Sequence, residues 1–422
     1  MTTAEKLQDA LAVLLAVYLV LLQTNLALAL RSTVFGLVAL VALVLALSAD
    51  GRRAAALSAP ARALALAFLA WSGWSAVSLL WSADPVYSLG ELKTDVLELG
   101  VGCGAMLLCV RRDLTFRRFV VTVLAAFAVL AIAAIGMRLA TGTWNDKLLH
   151  HGVGTWSTHV VIVAPTIALL RAPPPAGFGR EPAASACAFA LVAVALASAK
   201  VSENRMVWPA LIASLAVIAA AGAWRWPERW RAHPARRLAA VAALTLAMVA
   251  AFVDVATMKA ESTQAPPPSI GRSVAEDPRL AIWTEVRDRI AERPWVGHGY
   301  GKEIVGASLA TRLGDPTLTH AHNAFASVWL ETGAIGLALF VAVLAAAAWR
   351  FVGYARSRDD ALSLAGVVGL AILAGMIVKN LPDDFFVRTN ARFFWTTIAL
   401  LVAFGERRLR AGSEQSAAAE RT

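Results

Sequence analysis

The sequence predicts an all-α integral membrane protein of about twelve transmembrane helices, with both termini cytoplasmic and one long outer loop carrying amphipathic helices. Composition is the first reason. Of the 422 residues, 58% are AVILMFWYC and 16% are DEKR, whereas an ordinary soluble protein has about 25% charged residues. This excludes a disordered polyelectrolyte and argues against a soluble enzyme. Twelve spans of ~20 residues need ~240 apolar positions, and the apolar share of the chain supplies them. The spacing of the breaks between apolar runs is the second reason, and the distribution of charge among those breaks is the third.

Apolar runs broken by charged or Pro/Gly-rich stretches predict helices at 11–30, 33–49, 63–80, 94–110, 119–137, 157–170, 183–199, 207–224, 238–255, 334–352, 361–378 and 392–405. The first run follows Lys6 and is long, and a second span comes at once, so it reads as an uncleaved helix rather than a signal peptide. Cys103, Cys109 and Cys187 sit in apolar runs without metal-ligand spacing, which suggests neither a disulfide framework nor a zinc site. Between the ninth and tenth spans, residues 256–321 form one long connection, a length usually tied to function or disorder. Its Pro266-Pro267-Pro268 reads as a linker. Asp277 is the expected N-cap of a helix with Pro278 at its first position. Ile282, Val286 and Ile290 then recur on one face, as in a helix lying on a membrane surface. The tail 412–422 reads as disordered. The resulting organisation is 1–255 with nine spans, 256–333 as an outer loop domain, 334–405 with three spans, and 406–422 as a cytoplasmic tail.

The net charge of +10 would suggest a polyanionic partner in a soluble protein. With the N-terminus inside, 22 of the 39 basic and 11 of the 29 acidic residues fall on the inner side. The inner face then carries +11 and the outer face −1, the orientation favoured by the positive-inside rule. The basic excess is therefore a topology signal, and no nucleic-acid partner is expected.

The most specific segment is His320-Ala321-His322-Asn323-Ala324-Phe325, continuing through Trp329, Leu330, Glu331 and Thr332 to Gly333-Ala334-Ile335-Gly336. Upstream stand Ser202-Glu203-Asn204-Arg205 in a short outer loop, and Asp277-Pro278-Arg279 running through Trp283 to Pro294-Trp295-Val296-Gly297-His298-Gly299-Tyr300-Gly301. In order and spacing these resemble the signature motifs of the O-antigen ligase and polymerase superfamily, which includes bacterial protein O-oligosaccharyltransferases. One departure is Asn204, where the family often has Ser directly before the Arg. The resemblance covers the second half of the chain closely and the first half by helix pattern alone.

The resemblance implies a glycosyltransferase of the bacterial inner membrane whose active site faces the periplasm. It would move a preassembled glycan from undecaprenyl pyrophosphate to lipid A-core, without metal or cofactor. Such a transfer needs a base near the attacking hydroxyl and positive charge on the departing diphosphate. His322 is the expected base, since a neutral imidazole is available at pH 7 from an ordinary pKa of ~6.5. Arg205 and Arg279 are the expected diphosphate ligands, because arginine is always charged and grips phosphate oxygens bidentately. Lys200 is placed to add charge there, and His320 to orient His322 or its loop.

In the last outer loop, Lys379-Asn380-Leu381-Pro382-Asp383-Asp384-Phe385-Phe386-Val387-Arg388, a carboxylate is expected to orient His322 or bind the acceptor sugar. Asp384 and Arg388 are the candidates there. Lys93, Asp95 and Glu98 form a charge cluster of open role, while Trp71, Trp74 and Trp81 read as an interfacial belt. Gly333 and Gly336 read as close-packing positions. O-antigen polymerase and protein O-oligosaccharyltransferase are the alternatives within the superfamily. A twelve-helix transporter is the alternative outside it, but it calls for ionisable residues near the bilayer midplane, and here they gather at the outer ends.

Overall fold

The structure, a computed structural model, describes residues 2–48, 57–144, 149, 153–171, 182–262, 278–314, 316 and 318–419. Among them every regular element is helical. In chain order these are α1 (Thr3–Leu22), α2 (Leu28–Leu47), α3 (Ala59–Val77), α4 (Pro85–Leu92), α5 (Glu98–Cys109), α6 (Asp113–Thr141), α7 (Val153–Thr166) and α8 (Pro182–Val201). There follow α9 (Val207–Arg225), α10 (Pro227–Ala232), α11 (Pro234–Ser262), α12 (Pro278–Glu292), α13 (Gly306–Leu313), α14 (Ala324–Ala355), α15 (Asp360–Asn380) and α16 (Arg388–Ala419). Seven of them, α2, α3, α6, α9, α11, α14 and α15, are long and apolar enough to cross a membrane. The chain is thus a multi-pass membrane protein.

Of these seven, α15 is the most enclosed, with 72% of its apolar window buried, and it packs on α7, α9 and α14. Backbones approach closely because small residues face one another. A Cβ on Gly375 would lie 2.4 Å from the Ser214 hydroxyl, which itself donates to the Ala371 carbonyl at 2.9 Å.

Four boundaries differ from the sequence reading. The expected helix 11–30 ends at Leu22, and α2 starts at Leu28. Buried Gln23 donates to the Leu19 and Val123 carbonyls, Thr24 accepts from the Leu26 amide, and Ala27 is left-handed at φ 55°. Apolar residues on both sides conceal this break. Helix α11 runs on to Ser262, and α14 begins at Ala324, ten residues before the expected start, with Gly333 at an internal kink. The tail expected to be disordered continues α16 through Ala419, in keeping with its Ala, Glu and Gln content. Asp277 and the Pro266-Pro267-Pro268 linker lie outside the described residues, while the helix expected after them is α12.

The end of the bundle opposite Asn323 is held by one buried ion pair. Arg350 Nε donates to Glu406 Oε1 at 2.7 Å, the Tyr354 hydroxyl donates to the same oxygen at 2.8 Å, and the Ser58 amide donates to Oε2 at 2.7 Å. Both charges are enclosed, with side chains 7% and 3% exposed. Removing one partner strands the other, at a cost of about 3–5 kcal/mol. Arg350→Ala is therefore expected to lower the melting temperature in detergent strongly, and Arg350→Met with Glu406→Leu to recover most of that loss. Thermal unfolding by intrinsic fluorescence checks both variants.

Candidate functional site

The site is built around a break in α14. Gly333 has φ 71° and ψ −176°, so the helix loses its internal hydrogen bonds there. The segment after α12 replaces them. The amides of His298 and Gly299 donate to the carbonyls of Leu330 and Glu331 at 3.0 and 2.9 Å, and the Ala334 amide donates to the Pro294 carbonyl at 2.8 Å. Trp74 Nε1 takes the Thr332 carbonyl at 2.8 Å, and Trp81 Nε1 takes that of Val296 at 3.0 Å. Every backbone group opened by the kink named here thus finds a partner, which burial demands. Gly297, at φ 70°, fits only without a side chain, since its Cβ would lie 2.4 Å from the Glu331 oxygen. A Cβ on Gly333 would lie 2.1 Å from the Trp295 oxygen. The Pro-x-x-Gly stretch and the Gly-x-x-Gly stretch are therefore two halves of one joint. Trp71, expected in an interfacial belt, is instead buried against Tyr300 and Phe340, while half-buried Trp74 and Trp81 hold the joint by their indole hydrogen bonds.

At the start of α14, Asn323 is the N-cap: its Oδ1 accepts from the amides of Phe325 and Ala326, both at 3.0 Å. The residue before it, His322, is left-handed at φ 49°. Its Nδ1 stands 3.5 Å from Asp383 Oδ1, and the Ala324 amide donates to the Asp383 carbonyl at 3.0 Å. The His320 ring lies 3.9 Å from that of His322, centroid to centroid. Trp283 of α12 donates to the Ala321 carbonyl at 3.0 Å, fixing the loop from the other side.

Burial, then the neighbouring charges of Lys302 and His322, push His320 down to about 3, so it is neutral at physiological pH. Burial opposes ionisation of Asp383, but the nearby His322 ring and a hydrogen bond from the Asp384 amide outweigh it and hold the carboxyl down to about 2. Neither group changes charge between pH 5 and 9, which leaves a carboxylate facing the imidazole of His322. Such a pair can orient a ring and stabilise it once protonated.

Each candidate from the sequence has a definite place. Asp384 is buried, one of its carboxyl oxygens has no hydrogen-bond partner, and its carbonyl accepts from Lys302 Nζ at 2.9 Å. The carboxylate beside His322 is its neighbour Asp383. Arg388 is exposed; its amide donates to Asp95 at 2.8 Å and its guanidinium stands 3.5 Å from Glu91. Glu98 pairs with Arg392, so Asp95 and Glu98 anchor the last loop and the start of α16. Arg205 is exposed, and its side chain makes no hydrogen bond or ion pair among the described residues. Arg279 is half-buried on the first turn of α12. Lys200 pairs with Asp254 of α11.

Two lysines escaped the sequence reading. Lys302 approaches His320, as described. Lys379 is fully buried, its ammonium donating to Ser157 at 2.9 Å and Asn204 at 2.7 Å and lying 4.6 Å above the Phe385 ring. It ties the Arg205 loop to the loop of Asp383, which gives Asn204 its role. Among the described residues, the non-glycine residues with positive φ are Ala27, Glu203, His322 and Arg388. Three of these lie in the candidate loops, a clustering of strained backbone common at functional sites.

Residues 187–341 match the family model described as O-antigen ligase. A Pseudomonas aeruginosa protein named O-antigen ligase is 34% identical over 134 residues, which is 30% of this chain and 30% of that protein. The chain therefore aligns with under a third of that relative's length. The family match contains Lys200, Arg205, Arg279, His320 and His322, and ends before Asp383.

Two outcomes follow from this geometry. Gly333→Ala puts a side chain into a positive-φ extended conformation essentially restricted to glycine, at a cost of about 1–3 kcal/mol, and collides with the Trp295 carbonyl, so the 294–301 segment should detach. Limited proteolysis checks this through faster cleavage in that segment. His320 has a folded pKa below its ordinary 6.5, so the unfolded chain binds its proton first, and stability falls as pH drops from 6.5 towards about 3. His320→Gln should flatten that part of a melting-temperature profile against pH.

Proposed function

We propose, from the match of residues 187–341 to the family model described as O-antigen ligase, that the protein is an O-antigen ligase that moves a preassembled glycan from undecaprenyl pyrophosphate to lipid A-core. In this reading the protein lies in the bacterial inner membrane with twelve spans and both termini cytoplasmic, and the 256–333 loop domain with the His322 loop faces the periplasm. The observation that carries the reaction is the approach of His322 to Asp383 at the mouth of α14, with the Asn204-Arg205 loop tied in through Lys379 and α12, whose first turn carries Arg279, tied in through Trp283.

The acceptor hydroxyl oxygen bonds to the anomeric carbon as the bond from that carbon to the diphosphate oxygen breaks. The hydroxyl proton passes to Nε2 of His322, whose Nδ1 faces Asp383. The electron pair leaves on undecaprenyl pyrophosphate, and the guanidinium groups of Arg205 and Arg279 stabilise the charge that develops there. Arg205 suits this role because its side chain has no competing partner among the described residues. Lys200 and Arg388, each already paired, contribute field at the margins, while Asp384 and His320 line the acceptor side. Arginines serve where other transferases use a metal, so a chelator should leave the rate unchanged.

Purified protein reconstituted with the lipid-linked glycan and three acceptors in turn tests the reading: lipid A-core, a second glycan repeat, and a pilin-like protein. Transfer to lipid A-core alone is the expected result. Transfer only to a glycan repeat or to the protein would replace this reading with polymerase or oligosaccharyltransferase. His322→Ala should reduce transfer by ~10²–10⁴-fold at normal expression, and Asp383→Asn by ~10–100-fold. Arg205→Ala and Arg279→Ala should weaken use of the donor, and normal donor use in both would remove the diphosphate assignment.

A further inference from the structure

The two imidazoles are arranged in a way that proton transfer alone does not require. The Nδ1 atoms of His320 and His322 are both buried without a hydrogen-bond partner. One ligand atom from each of His320, His322 and Asp383 lies within 4.8 Å of the other two. Tetrahedral Zn²⁺ with nitrogen and oxygen ligands at ~2.0–2.1 Å sets neighbouring ligand atoms ~3.3 Å apart. The 3.5 Å between His322 Nδ1 and Asp383 Oδ1 is already close to that spacing. A rotation of the His320 side chain, whose ring lies over that of His322, brings in the third ligand.

We propose that His320, His322 and Asp383 chelate Zn²⁺ or a similar transition-metal dication, and that the bound ion switches the enzyme off. Two imidazoles and one carboxylate select such ions over Mg²⁺ or Ca²⁺, which prefer all-oxygen shells. The inhibitory half rests on the proposed role of His322 as base. A metal on Nδ1 leaves the neutral ring with its proton on Nε2, so the ring accepts no proton from the acceptor hydroxyl. The same ion occupies the Asp383 oxygen that orients the ring. The ammonium groups of Lys302 and Lys379 act against a resident dication, although both are held by other partners, at Asp384 and at Ser157 with Asn204. Occupancy is therefore reversible, and the ion is a regulator that transfer itself does not use.

Calorimetric titration of the untagged full chain in detergent with Zn²⁺, and separately with Mg²⁺, reads the site without any substrate. One equivalent of Zn²⁺ and no Mg²⁺ should bind. His320→Ala and Asp383→Asn should each weaken Zn²⁺ binding by at least ~10-fold. Transfer should fall over the same Zn²⁺ concentrations and return on chelation. Binding that is absent, or unaffected by His320→Ala and Asp383→Asn, overturns the site. Binding that leaves transfer unchanged or faster overturns the switch. A chain that binds Zn²⁺ in this way but transfers no glycan upholds the site and counts against the proposed reaction.

Discussion

The interlock between the kink at Gly333 and the 294–299 segment is the constraint on which the rest of the site depends. A helix broken inside an apolar bundle exposes carbonyls and amides that water cannot reach, and each would cost several kcal/mol unpaired. Here the Leu330, Glu331 and Thr332 carbonyls and the Ala334 amide are all taken by a segment that follows α12 or by Trp74. Because that segment continues directly from α12, its hydrogen bonds to the kink also set where α12 sits. Through Trp283 and Ala321, α12 in turn sets the His320–His322 loop.

A second tie closes the site from the far end of the chain. The Asp383 carbonyl receives the Ala324 amide while its carboxylate faces His322, so one residue both fastens the loop and positions the ring. Lys379, four residues earlier, carries the tie across to Ser157 and Asn204. A fully buried ammonium is costly unless every donor is occupied, which makes such a residue a rigid fixture. Loops separated by well over a hundred residues thus meet through fixed contacts, and preorganisation of this kind is what electrostatic catalysis requires.

Much of this was legible in the sequence. Apolar run length found every long helix, because the bilayer sets that length. The His-Asn and Gly-x-x-Gly spacing located the His320–His322 loop and the span that follows it, but not the kink at Gly333. The break at Gln23–Ala27 was hidden because apolar residues flank it, and the start of α14 because Asn323 caps a helix whose first turns lie outside the most apolar window. Between Asp383 and Asp384 no sequence signal decides, since neighbouring residues of a loop face different ways. Lys302 and Lys379 carried no signal because their partners are remote in sequence, and the burial of Trp71 was hidden because an inward indole and an interfacial one look the same in a hydropathy pattern.

In the proposed reaction His322 and Asp383 act as one unit in proton transfer. A double-mutant cycle on the rate of glycan transfer to lipid A-core, with His322→Gln, Asp383→Asn and the pair, tests it most directly. The account predicts that Asp383→Asn has little further effect once His322 is replaced, because the carboxylate acts through the ring. Losses that multiply independently would contradict it.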